Sequence, residues 1–522
     1  MAAAGKYFFK RGVGVNYDTI IKNARLFNGE TFYPRPADIA LSGNKIALVG
    51  KIEAPARRII DASGFLVSPG FIDVHTHCDM AVFDILGVRR SLKDESVRAN
   101  LCYLYQGVTT IVSGNCGLGV CDTEKWFGAV KEMGFGTNVL HLIPHGRLVD
   151  EITGAGRGTR ISPAQSNMIK NRIEEELEKG ACGISTGLEY YPDVFAEADD
   201  LADAAKIAAK YGGIYATHIG DERGTGVIDA IREAVETGRS SLASVEISHL
   251  KITAPICEVK AADLFEVIEK ARGEGVDVNA DQYPYSFGST FLSLLVPPEY
   301  LSGNSLREEY KFSQGRLRLR EVISGVFHYL PPEKIYISDF REKRRYEGKN
   351  IKELAEDLSR PPEEIFLELL DGKEPPICVF MSQKENIVRE IMKKDWIITA
   401  SDGWTQSFGI SKPHPRAYGT FPEKLRKFVL DEKIITLPEA LKSMTALPSD
   451  KFKIKKRGRI ATGFYADIAV IDMEKISSNS TIKNPHKYAS GIEYLFVNGV
   501  LSIEKGAFTG AVGGCPIRFN NQ

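Results

Sequence analysis

Phe71-Ile-Asp-Val-His-Thr-His-Cys-Asp79 is the stretch of sequence that decides the fold. It follows Val67-Ser-Pro-Gly70, a turn signal, so residues 71–74 are predicted to form a short buried strand. His75 and His77 stand two positions apart where that strand ends. Side chains two apart on a strand point to the same side, so both imidazoles can face one metal ion. The same pair would also suit two ordinary polar positions at a strand end. Residues from other strands can reach the same ion only if the strands are parallel and their ends converge.

Apolar, strand-like runs alternate with amphipathic helical segments such as 199–211 and 226–237 through the middle of the chain. This alternation predicts an α/β fold with a parallel sheet, and a count of eight strands predicts a closed (β/α)8 TIM-like barrel. The predicted strands are residues 71–77, 109–116, 138–146, 181–190, 213–220, 244–251, 276–283 and 397–403.

The seventh and eighth predicted strands are separated by a long charged segment, residues 286–396, which is rich in Arg and Lys. A segment of this kind is most simply a solvated insertion. Because it leaves the C-terminal end of the seventh strand, however, it can fold over the mouth of the barrel as a lid.

Both ends of the chain are β-rich. Residues 17–60 contain strand patterns and a hairpin signal at Ser42-Gly-Asn44, and similar patterns return at 466–472 and 491–500. We therefore predict a small β-sandwich domain formed by both termini, residues 1–68 and 425–522. The catalytic barrel would span residues 69–424 and include the 286–396 insertion.

Composition excludes several functional classes. The 522 residues are 43% hydrophobic and 26% charged, as in ordinary soluble proteins, and the net charge of −1 gives no reason to expect nucleic acid or a membrane surface as a partner. No apolar run reaches membrane-spanning length, and residues 1–16 lack the apolar core of a signal peptide. The eight cysteines show no framework spacing, which favours reduced thiols and a cytoplasmic location.

Chemically active side chains stand at most of the predicted strand ends, and five of the nine histidines are among them. Imidazole, thiolate and carboxylate together suit zinc better than magnesium or calcium. Cys116 alone could be a small buried hydrophobe and Asp402 a helix N-cap, but glycines 114 and 117 favour ligation by Cys116. His145, in a Pro-His-Gly turn, is predicted to support the pocket instead. The strand-end residues are His75, His77, Cys116, His145, Tyr190, His218, His249, Tyr283 and Asp402.

The ordered set of motifs resembles a known family. The pair His75-Thr-His77 after Pro-Gly-Phe-Ile-Asp, with later strands ending in His, His and Asp, resembles the amidohydrolase superfamily. Further motifs narrow the resemblance to the D-aminoacylases (N-acyl-D-amino-acid deacylases), over almost the whole chain. One departure is Cys78 before Asp79, where the family usually has Asp-Asp. The narrowing motifs are Gly114-Asn-Cys-Gly117, Ser185-Thr-Gly-Leu-Glu-Tyr190, Asp281-Gln-Tyr-Pro-Tyr285 and His414-Pro-Arg-Ala-Tyr-Gly-Thr-Phe-Pro422.

The resemblance implies one tightly bound zinc ion, held by Cys116, His218 and His249. It also implies a second, weaker site formed by His75, His77 and Asp402, with Cys116 able to bridge the two. Related amidohydrolases use a carboxylated lysine as the bridge, and no lysine ends the fourth predicted strand here. Asp402 would act as general base and then general acid. Contacts to the substrate carboxylate are implied for Tyr190, Lys251, Tyr283, Ser289 and Arg416.

Three functions compete on these grounds. The leading prediction is zinc-dependent hydrolysis of small N-acyl-D-amino acids to a carboxylate and a free D-amino acid. The second is hydrolysis of cyclic amides, as in dihydropyrimidinases or dihydroorotases, which the missing bridging lysine and the Asn-Cys-Gly motif disfavour. The third is a non-catalytic scaffold protein, which would be expected to have lost ligands, whereas none is missing here.

Overall fold

The computed structural model describes residues 16–82, 94–154, 161–254, 258–297, 309, 311–372 and 374–519. Residues 1–15 of the predicted small domain lie outside this part of the chain. Strands β2 and β3 below are antiparallel and pair Ser42 with Lys45, which confirms the predicted hairpin. The first five strands are β1 (Tyr17–Leu26), β2 (Ala37–Ser42), β3 (Lys45–Gly50), β4 (Ala56–Asp61) and β5 (Leu66–Pro69).

Each of the eight predicted strand segments in the middle of the chain contains a strand. The predicted mixed α/β fold with parallel sheets is confirmed, because these strands are parallel to their neighbours. The strands are β6 (Phe71–Asp73), β7 (Val108–Ser113), β8 (Asn138–His141) with its continuation β9 (Ile143–Pro144), β10 (Gly183–Gly187), β11 (Ile214–His218), β12 (Ser244–Ile247), β13 (Val278–Gln282) and, after the insertion, β17 (Ile397–Thr399).

These strands pair in sequence order. One sheet has the order β6-β7-β8, and the other has the order β9-β10-β11-β12-β13-β17. Only Leu142 separates β8 from β9, and a parallel bridge between Thr76 and Gly403 joins the segments that follow β6 and β17. The first and last strands are therefore neighbours, which is the pairing that a closed eight-stranded barrel requires.

Helices alternate with the parallel strands and bury one face against them. In the helix at Gly226–Ser241, for example, the buried residues include Val227, Ala230, Ile231 and Ala234, the spacing of an amphipathic helix. The helices of this region are α1 (Cys78–Val82), α2 (Glu95–Arg98), α3 (Leu101–Leu104), α4 (Thr123–Met133), α5 (His145–Thr153), α6 (Pro163–Glu178), α7 (Ala198–Lys210), α8 (Gly226–Ser241) and α9 (Ala261–Gly273).

The insertion between β13 and β17 folds around a core of its own. Leu292, Leu319, Ile337 and Phe366 belong to one buried apolar cluster, so the expectation of a largely solvated insertion is wrong. A three-stranded antiparallel sheet of order β14-β16-β15 runs through it. The elements are β14 (Gly288–Phe291), α10 (Ser313–Tyr329), β15 (Ile335–Asp339), α11 (Ile351–Leu358), α12 (Pro362–Leu370), β16 (Ile377–Phe380) and α13 (Glu385–Met392).

The last four strands join the first five in one nine-stranded sheet. The link is the antiparallel pair β5–β18, so both ends of the chain contribute to a single sheet as well as to a common apolar cluster. The preceding helices, α14 (Arg416–Glu423), a π-helix (Lys424–Asp431), α15 (Leu437–Met444) and α16 (Ala446–Lys451), are followed by β18 (Ile468–Ile471), β19 (Ile492–Val497), β20 (Val500–Glu504) and β21 (Ala507–Phe508).

The C-terminal segment returns to the parallel strands. The Val139 amide of β8 donates to the Cys515 carbonyl at 3.0 Å, and the Ile517 amide donates back to the Val139 carbonyl at 2.8 Å. Ile517 joins the buried cluster that contains Ile72 and Val112. Residues near the end of the chain therefore complete the interior of the parallel strand array. Within the described residues, no helix combines the length and the apolar composition that crossing a bilayer would need.

Lys424 is an unusual buried cation behind the last parallel strand. Its ammonium donates to Thr399 Oγ1 at 2.8 Å and to Ser443 Oγ at 2.9 Å, and no carboxylate in the described part of the chain pairs with it. Burial without a counter-charge lowers the pKa of Lys424 to about 7. The folded protein therefore carries this amine partly neutral at neutral pH.

We predict that Lys424 makes stability rise with pH. The unfolded chain keeps its proton up to a pKa near 10.5, whereas the folded protein releases it near 7, so unfolding takes up a proton between these values. Relative to Lys424→Met, the wild-type free energy of unfolding should increase by roughly 2–3 kcal/mol from pH 7.5 to 9.5. Urea denaturation of both proteins at several pH values measures this difference. Lys131→Met, at an exposed position, should show no such slope; equal slopes for all three proteins would contradict the prediction.

Candidate active site

The six predicted metal ligands lie together at one end of the parallel strands, and all six are buried. Three groups among them place their ligand atoms within 4.8 Å of one another. Cys116 belongs to two of these groups, so its sulfur lies between them. The groups are His75 with His77 and Cys116, Cys116 with His218 and His249, and His75 with His249 and Asp402.

Hydrogen bonds between the first and last strand ends bring His75, His77 and Asp402 together. The Asp402 amide donates to the His75 carbonyl at 2.9 Å, and the His77 amide donates to the Gly403 carbonyl at 2.8 Å. The Asp402 Oδ1 atom then lies 3.2 Å from His77 Nε2 and 3.6 Å from His75 Nε2. Backbone pairing alone thus places this carboxylate against both imidazoles.

The Gly114-Asn-Cys-Gly117 loop holds Cys116 in place. Asn115 Nδ2 donates to the carbonyls of Val74 and Thr76, both at 3.3 Å, which ties the loop to the end of β6. Ser185 Oγ donates to the Gly114 carbonyl and accepts from the Gly117 amide at 3.1 Å. The Cys116 sulfur consequently lies 3.2 Å from His75 Nε2 and 3.6 Å from His249 Nε2.

Several parallel strands end earlier than the sequence predicts. Strands β7, β12 and β17 stop at Ser113, Ile247 and Thr399, two or three residues before the site residue that follows each of them. The reason lies in the backbone: Cys116, His249 and Asp402 have φ values of 56°, 36° and 49°, in the left-handed region, which is incompatible with strand geometry. Sparsely populated backbone geometry of this kind occurs at functional sites, where the surrounding structure enforces it.

Carboxylates stand behind three of the imidazoles, and the sequence analysis did not assign them. Asp281 Oδ2 lies 3.2 Å from His75 Nδ1, Glu222 Oε1 lies 3.0 Å from His249 Nδ1, and Glu189 Oε2 lies 3.4 Å from His218 Nε2. Such partners fix the orientation and tautomer of a metal-binding imidazole. Asp281 and Glu189 fall inside motifs already quoted, whereas Glu222 carried no signal beyond its position four residues after His218.

The site stabilises the charged forms of Cys116 and Asp402, although burial alone would favour their neutral forms. Burial alone would raise the pKa of the Cys116 thiol, but the charge of His75 and hydrogen bonds from His249 and His75 hold that pKa well below its usual range. Burial would likewise raise the pKa of Asp402, and the Arg416 guanidinium together with His249 and His75 holds it well below its usual range. A thiolate and a carboxylate are the forms that bind a metal ion.

These residues fit a bound metal ion. The donor set of one thiolate, four imidazoles and one carboxylate is the kind that binds zinc. In the described part of the chain, the buried Nδ1 atoms of His77 and His218 have no hydrogen-bond partner, so each is available to bind a metal ion. A buried polar atom without a partner is costly, and a ligated ion would satisfy it.

All five predicted substrate-binding residues line one cavity, which is open to solvent, next to the ligands: Tyr190, Lys251, Tyr283, Ser289 and Arg416. Lys251 is buried and donates to Glu222 Oε1 at 2.5 Å. Arg416 is also buried; its Nη1 lies 2.8 Å from Asp402 Oδ2, and its guanidinium lies 4.7 Å from the centre of the Tyr283 ring. Both cations predicted to bind the substrate therefore already contact a carboxylate.

His145 lies outside the three ligand groups, as the sequence predicts. Its Nδ1 lies 2.7 Å from Asp193 Oδ1, and Asp193 Oδ2 accepts from the Gly187 amide at 3.0 Å. Gly187 must be glycine, because a Cβ atom there would lie 2.1 Å from the Cys116 carbonyl oxygen. His145 and Asp193 thus support the backbone against which the Cys116 loop packs.

The departure at Cys78 is explained by packing. Cys78 is fully buried at the start of α1, and burial raises the pKa of its thiol to about 11, which keeps it uncharged. Asp79 is buried too, and its Oδ2 accepts from the Val120 amide at 2.9 Å. Neither residue belongs to the groups of candidate metal ligands found among the described residues.

Comparisons with known proteins agree with this geometry. Residues 366–503 match the model of an amidohydrolase family. The chain is 29% identical to an N-acyl-D-glutamate deacylase of Alcaligenes xylosoxydans xylosoxydans, over 92% of this chain and 93% of that protein. It is 27% identical to a D-aminoacylase of the same organism, over 95% and 96%.

A solved structure provides a further comparison. The N-acyl-D-glutamate deacylase of Bordetella bronchiseptica, in complex with zinc and a phosphonate that mimics the tetrahedral intermediate, superposes with a TM-score of 0.81. It is 26% identical, and the match covers 97% of this chain and 100% of that one. Residues 366–503 are thus similar to an amidohydrolase family. The relatives named here, a D-aminoacylase and two N-acyl-D-glutamate deacylases, match nearly the whole chain, and the resemblance predicted from the sequence is confirmed.

We predict that Glu222→Gln weakens zinc binding by 10- to 100-fold, roughly the usual effect of removing a carboxylate behind a metal ligand. The amide keeps the shape of the side chain but removes the negative charge that lies against His249 Nδ1 and the Lys251 ammonium. Competition with a chelating dye measures the affinity, and circular dichroism checks folding.

Glu236→Gln makes the same chemical change on the exposed face of α8 and should leave zinc affinity unaltered. Cys116→Ala should lose the bound zinc altogether. Wild-type zinc affinity in a folded Glu222→Gln protein would show that Glu222 does not orient His249.

Proposed function

We propose that this protein is a zinc-dependent hydrolase that cleaves the amide bond of N-acyl-D-amino acids, releasing a carboxylate and a free D-amino acid. One observation carries the proposal. The Cys116 sulfur is shared by two groups of metal-binding side chains, and three of the ligands, His218, His249 and Asp402, line a cavity whose wall also contains two buried cations, Lys251 and Arg416. Metal ligands beside paired cations suit a substrate that presents an amide carbonyl close to a carboxylate.

Cys116, His218 and His249 would hold one zinc ion. His75, His77 and Asp402, whose ring nitrogens and carboxylate lie 3.2–3.6 Å apart, would hold a second, with Cys116 able to bridge the two. When bound, zinc supplies a Lewis acid that polarises the amide carbonyl and activates water at neutral pH. The absence of a lysine at the end of β10, where Glu189 and Tyr190 stand, agrees with Cys116 taking the bridging role.

Lys251 and Arg416 would grip the substrate carboxylate, assisted by Tyr190, Tyr283 and Ser289. Arg416 offers a planar fork: Nη1 contacts Asp402, and Nη2 lies 3.4 Å from the Ser289 carbonyl at the cavity wall. A guanidinium can bind a carboxylate through two parallel hydrogen bonds. Such a grip fixes the position of the α-carbon, so that only one configuration, which we propose is D, directs its side chain into the cavity.

Asp402 would carry the proton. Its Oδ2 atom is held by Arg416, which favours the ionised form, and its Oδ1 atom faces His77 and His75. We propose that the carboxylate accepts a proton from the attacking water and returns it to the departing nitrogen, acting first as base and then as acid. The ion pair with Arg416 fixes the direction in which the carboxylate points.

We propose that the parallel strands form a closed (β/α)8 barrel spanning residues 69–424, with residues 286–396 as a lid over its mouth. In support, β14 of the insertion carries Ser289, and α10 contributes Tyr329 to the same cavity. Residues 1–68 and 425–522 would form the small terminal domain. Its helices α15 and α16 reach the barrel, where Ser443 Oγ lies 2.8 Å from Thr399 Oγ1 and Lys451 Nζ lies 2.9 Å from Asp277 Oδ1.

The decisive experiment compares substrates on zinc-loaded enzyme. N-acetyl-D-methionine should be hydrolysed, and N-acetyl-L-methionine should be hydrolysed far more slowly. A cyclic substrate such as dihydrouracil should not be opened, which separates this proposal from the cyclic-amide hydrolases. Hydrolysis of the ring alone would favour that alternative, and a zinc-loaded protein inactive on all three compounds would favour a scaffold role.

Asp402→Asn should retain the tightly bound zinc while kcat falls by about 10²–10⁴-fold, the usual contribution of a general acid–base group. The amide has nearly the same shape, but it cannot accept and return a proton. Steady-state kinetics on N-acetyl-D-methionine and metal analysis of the same preparation test both parts. A variant that kept a tenth of the wild-type rate would require another proton carrier.

A further inference from the structure

His414 belongs to a sequence motif of which the proposed function uses only one residue. The motif is His414-Pro-Arg-Ala-Tyr-Gly-Thr-Phe-Pro422, and Arg416 within it is assigned to the substrate carboxylate. The His414 side chain is buried, and it is not among the described residues that line the cavity or form the groups of candidate metal ligands. Any role of this ring in the reaction is therefore exerted through the residues that it contacts.

Two hydrogen bonds hold the His414 ring between separate parts of the chain. Its Nε2 atom donates to the Phe287 carbonyl at 2.8 Å, and its Nδ1 atom accepts from the Arg416 amide at 2.9 Å. A carbonyl can only accept and an amide N–H can only donate, so these partners require a neutral ring with its proton on Nε2. Burial and the positive charge of Arg416 act in the same direction, because they hold the pKa of His414 well below its usual range.

Aromatic neighbours fix the orientation of this imidazole. Phe287 stacks on it, with the ring centres 4.6 Å apart and an angle of 27° between the ring planes. Tyr285 and Tyr283 meet it in edge-to-face geometry, with ring centres 5.5 Å and 5.9 Å away. These contacts hold the imidazole in the orientation that both hydrogen bonds require.

The ring joins the two segments that carry substrate-binding residues. Phe287 lies between Tyr283 and Ser289, in the chain that leaves β13 and enters β14, whereas Arg416 is the first residue of α14. Phe287 and His414 are 127 positions apart in sequence. A direct contact between the segments, from Arg416 Nη2 to the Ser289 carbonyl, spans 3.4 Å, which is long for a hydrogen bond. The two shorter bonds to His414 are therefore the firmer connection.

His414 also fixes the start of α14. The Arg416 amide is the first N–H of that helix, and such a group has no carbonyl within the helix to bind. The Nδ1 atom of His414 supplies the missing acceptor and holds the backbone of Arg416 in place. The guanidinium at the far end of the side chain is held by Asp402, with 2.8 Å between Nη1 and Oδ2. Arg416 is thus fixed at both ends, by His414 and by Asp402.

We propose, on the basis of the function proposed above, that His414 is a positioning residue for binding of the substrate carboxylate. It does not contact the substrate itself. By holding the Phe287 carbonyl and the Arg416 amide against one rigid ring, it sets the distance between Tyr283 and Ser289 on one segment and Arg416 on the other. One carboxylate can be bound by all three residues only when that distance is right, and a carboxylate that loses charge-assisted hydrogen bonds is held less tightly.

The test compares two substrates that differ only in the group that His414 helps to bind. N-acetyl-D-methionine carries the carboxylate, and N-acetyl-D-methioninamide replaces it with a neutral carboxamide. Release of acetate reports cleavage of the same N-acyl bond in both. In zinc-loaded His414→Asn, KM for the acid should rise by about tenfold or more while kcat changes by less than about threefold, the pattern of lost substrate binding.

For the carboxamide, kcat/KM should change by less than about threefold in the same variant, since the charge that the cations bind is absent from this substrate. Where the carboxamide is cleaved too slowly to follow, its inhibition constant against the acid gives the same comparison. His328→Asn makes the same change at an exposed position of α10 and should alter neither substrate.

Two variants at position 414 separate the two hydrogen bonds. The asparagine side-chain oxygen can take the place of Nδ1, so His414→Asn keeps an acceptor for the Arg416 amide and loses the bond to Phe287. His414→Phe keeps a stacked ring and loses both bonds, so KM for the acid should rise further. Circular dichroism and metal analysis check that each variant is folded and loaded. If His414→Phe does not fold, the asparagine variant decides alone.

The outcomes also separate this inference from the proposed function. Equal losses of kcat/KM for the acid and the carboxamide would show that His414 only supports the fold. An unchanged KM for the acid would show that Arg416 needs no such support. Either result overturns the inference and leaves D-aminoacyl hydrolysis intact. A zinc-loaded wild-type enzyme that releases no acetate from N-acetyl-D-methionine would instead overturn the proposed function.

Discussion

The hydrogen bond from the Asp402 amide to the His75 carbonyl joins the first and last parallel strands, and the site depends on that junction. These residues are more than three hundred positions apart in sequence, and the whole insertion lies between them. They come into contact because the parallel strands pair in sequence order and the segments after the first and last strands are bridged. Once this junction has formed, His77 contacts Asp402. The Cys116 loop is tied to the end of β6 by Asn115, and this brings the Cys116 sulfur against His75.

Charge balance is the second constraint on this site. A buried ion is stable only with a partner, and here nearly every charged group has one: Asp281 behind His75, Glu222 behind both His249 and Lys251, and Arg416 against Asp402. The ligands and the cations are therefore held in their orientations by opposite charges.

Much of the fold follows from local patterns in the sequence. All eight strand segments could be predicted, because buried parallel strands are short apolar runs between helices and turns. The strand ends could not, since Cys116, His249 and Asp402 adopt left-handed backbone that depends on long-range contacts. The apolar core of the insertion could not be predicted for a similar reason. Charged residues dominate the composition of the insertion, whereas core residues such as Leu319 and Phe366 come into contact only after folding.

The candidate site, like the fold, could be predicted from the sequence only in part. Histidine, cysteine and aspartate at strand ends could be recognised one by one, because parallel strands all end on the same side. Glu222 could not be recognised, since it lies in a loop and acquires its role only when β12 places His249 and Lys251 beside it. The ion pair between Arg416 and Asp402 could not be predicted either, because Arg416 was expected to contact the substrate and Asp402 to bind metal and transfer a proton.

The segment around Cys515 has a consequence for how the protein is made. The Asn138 carboxamide oxygen accepts from the Cys515 amide, a contact between residues 377 positions apart, and Ile517 fills apolar space beside β6 and β7. Residues 515–517 must therefore leave the ribosome before the interior of the parallel array is complete, although its eight strand segments are made much earlier. Until then the nascent chain exposes hydrocarbon that the mature protein covers, and such surfaces bind chaperones or aggregate. This part of the core therefore closes only after residue 517 has been synthesised.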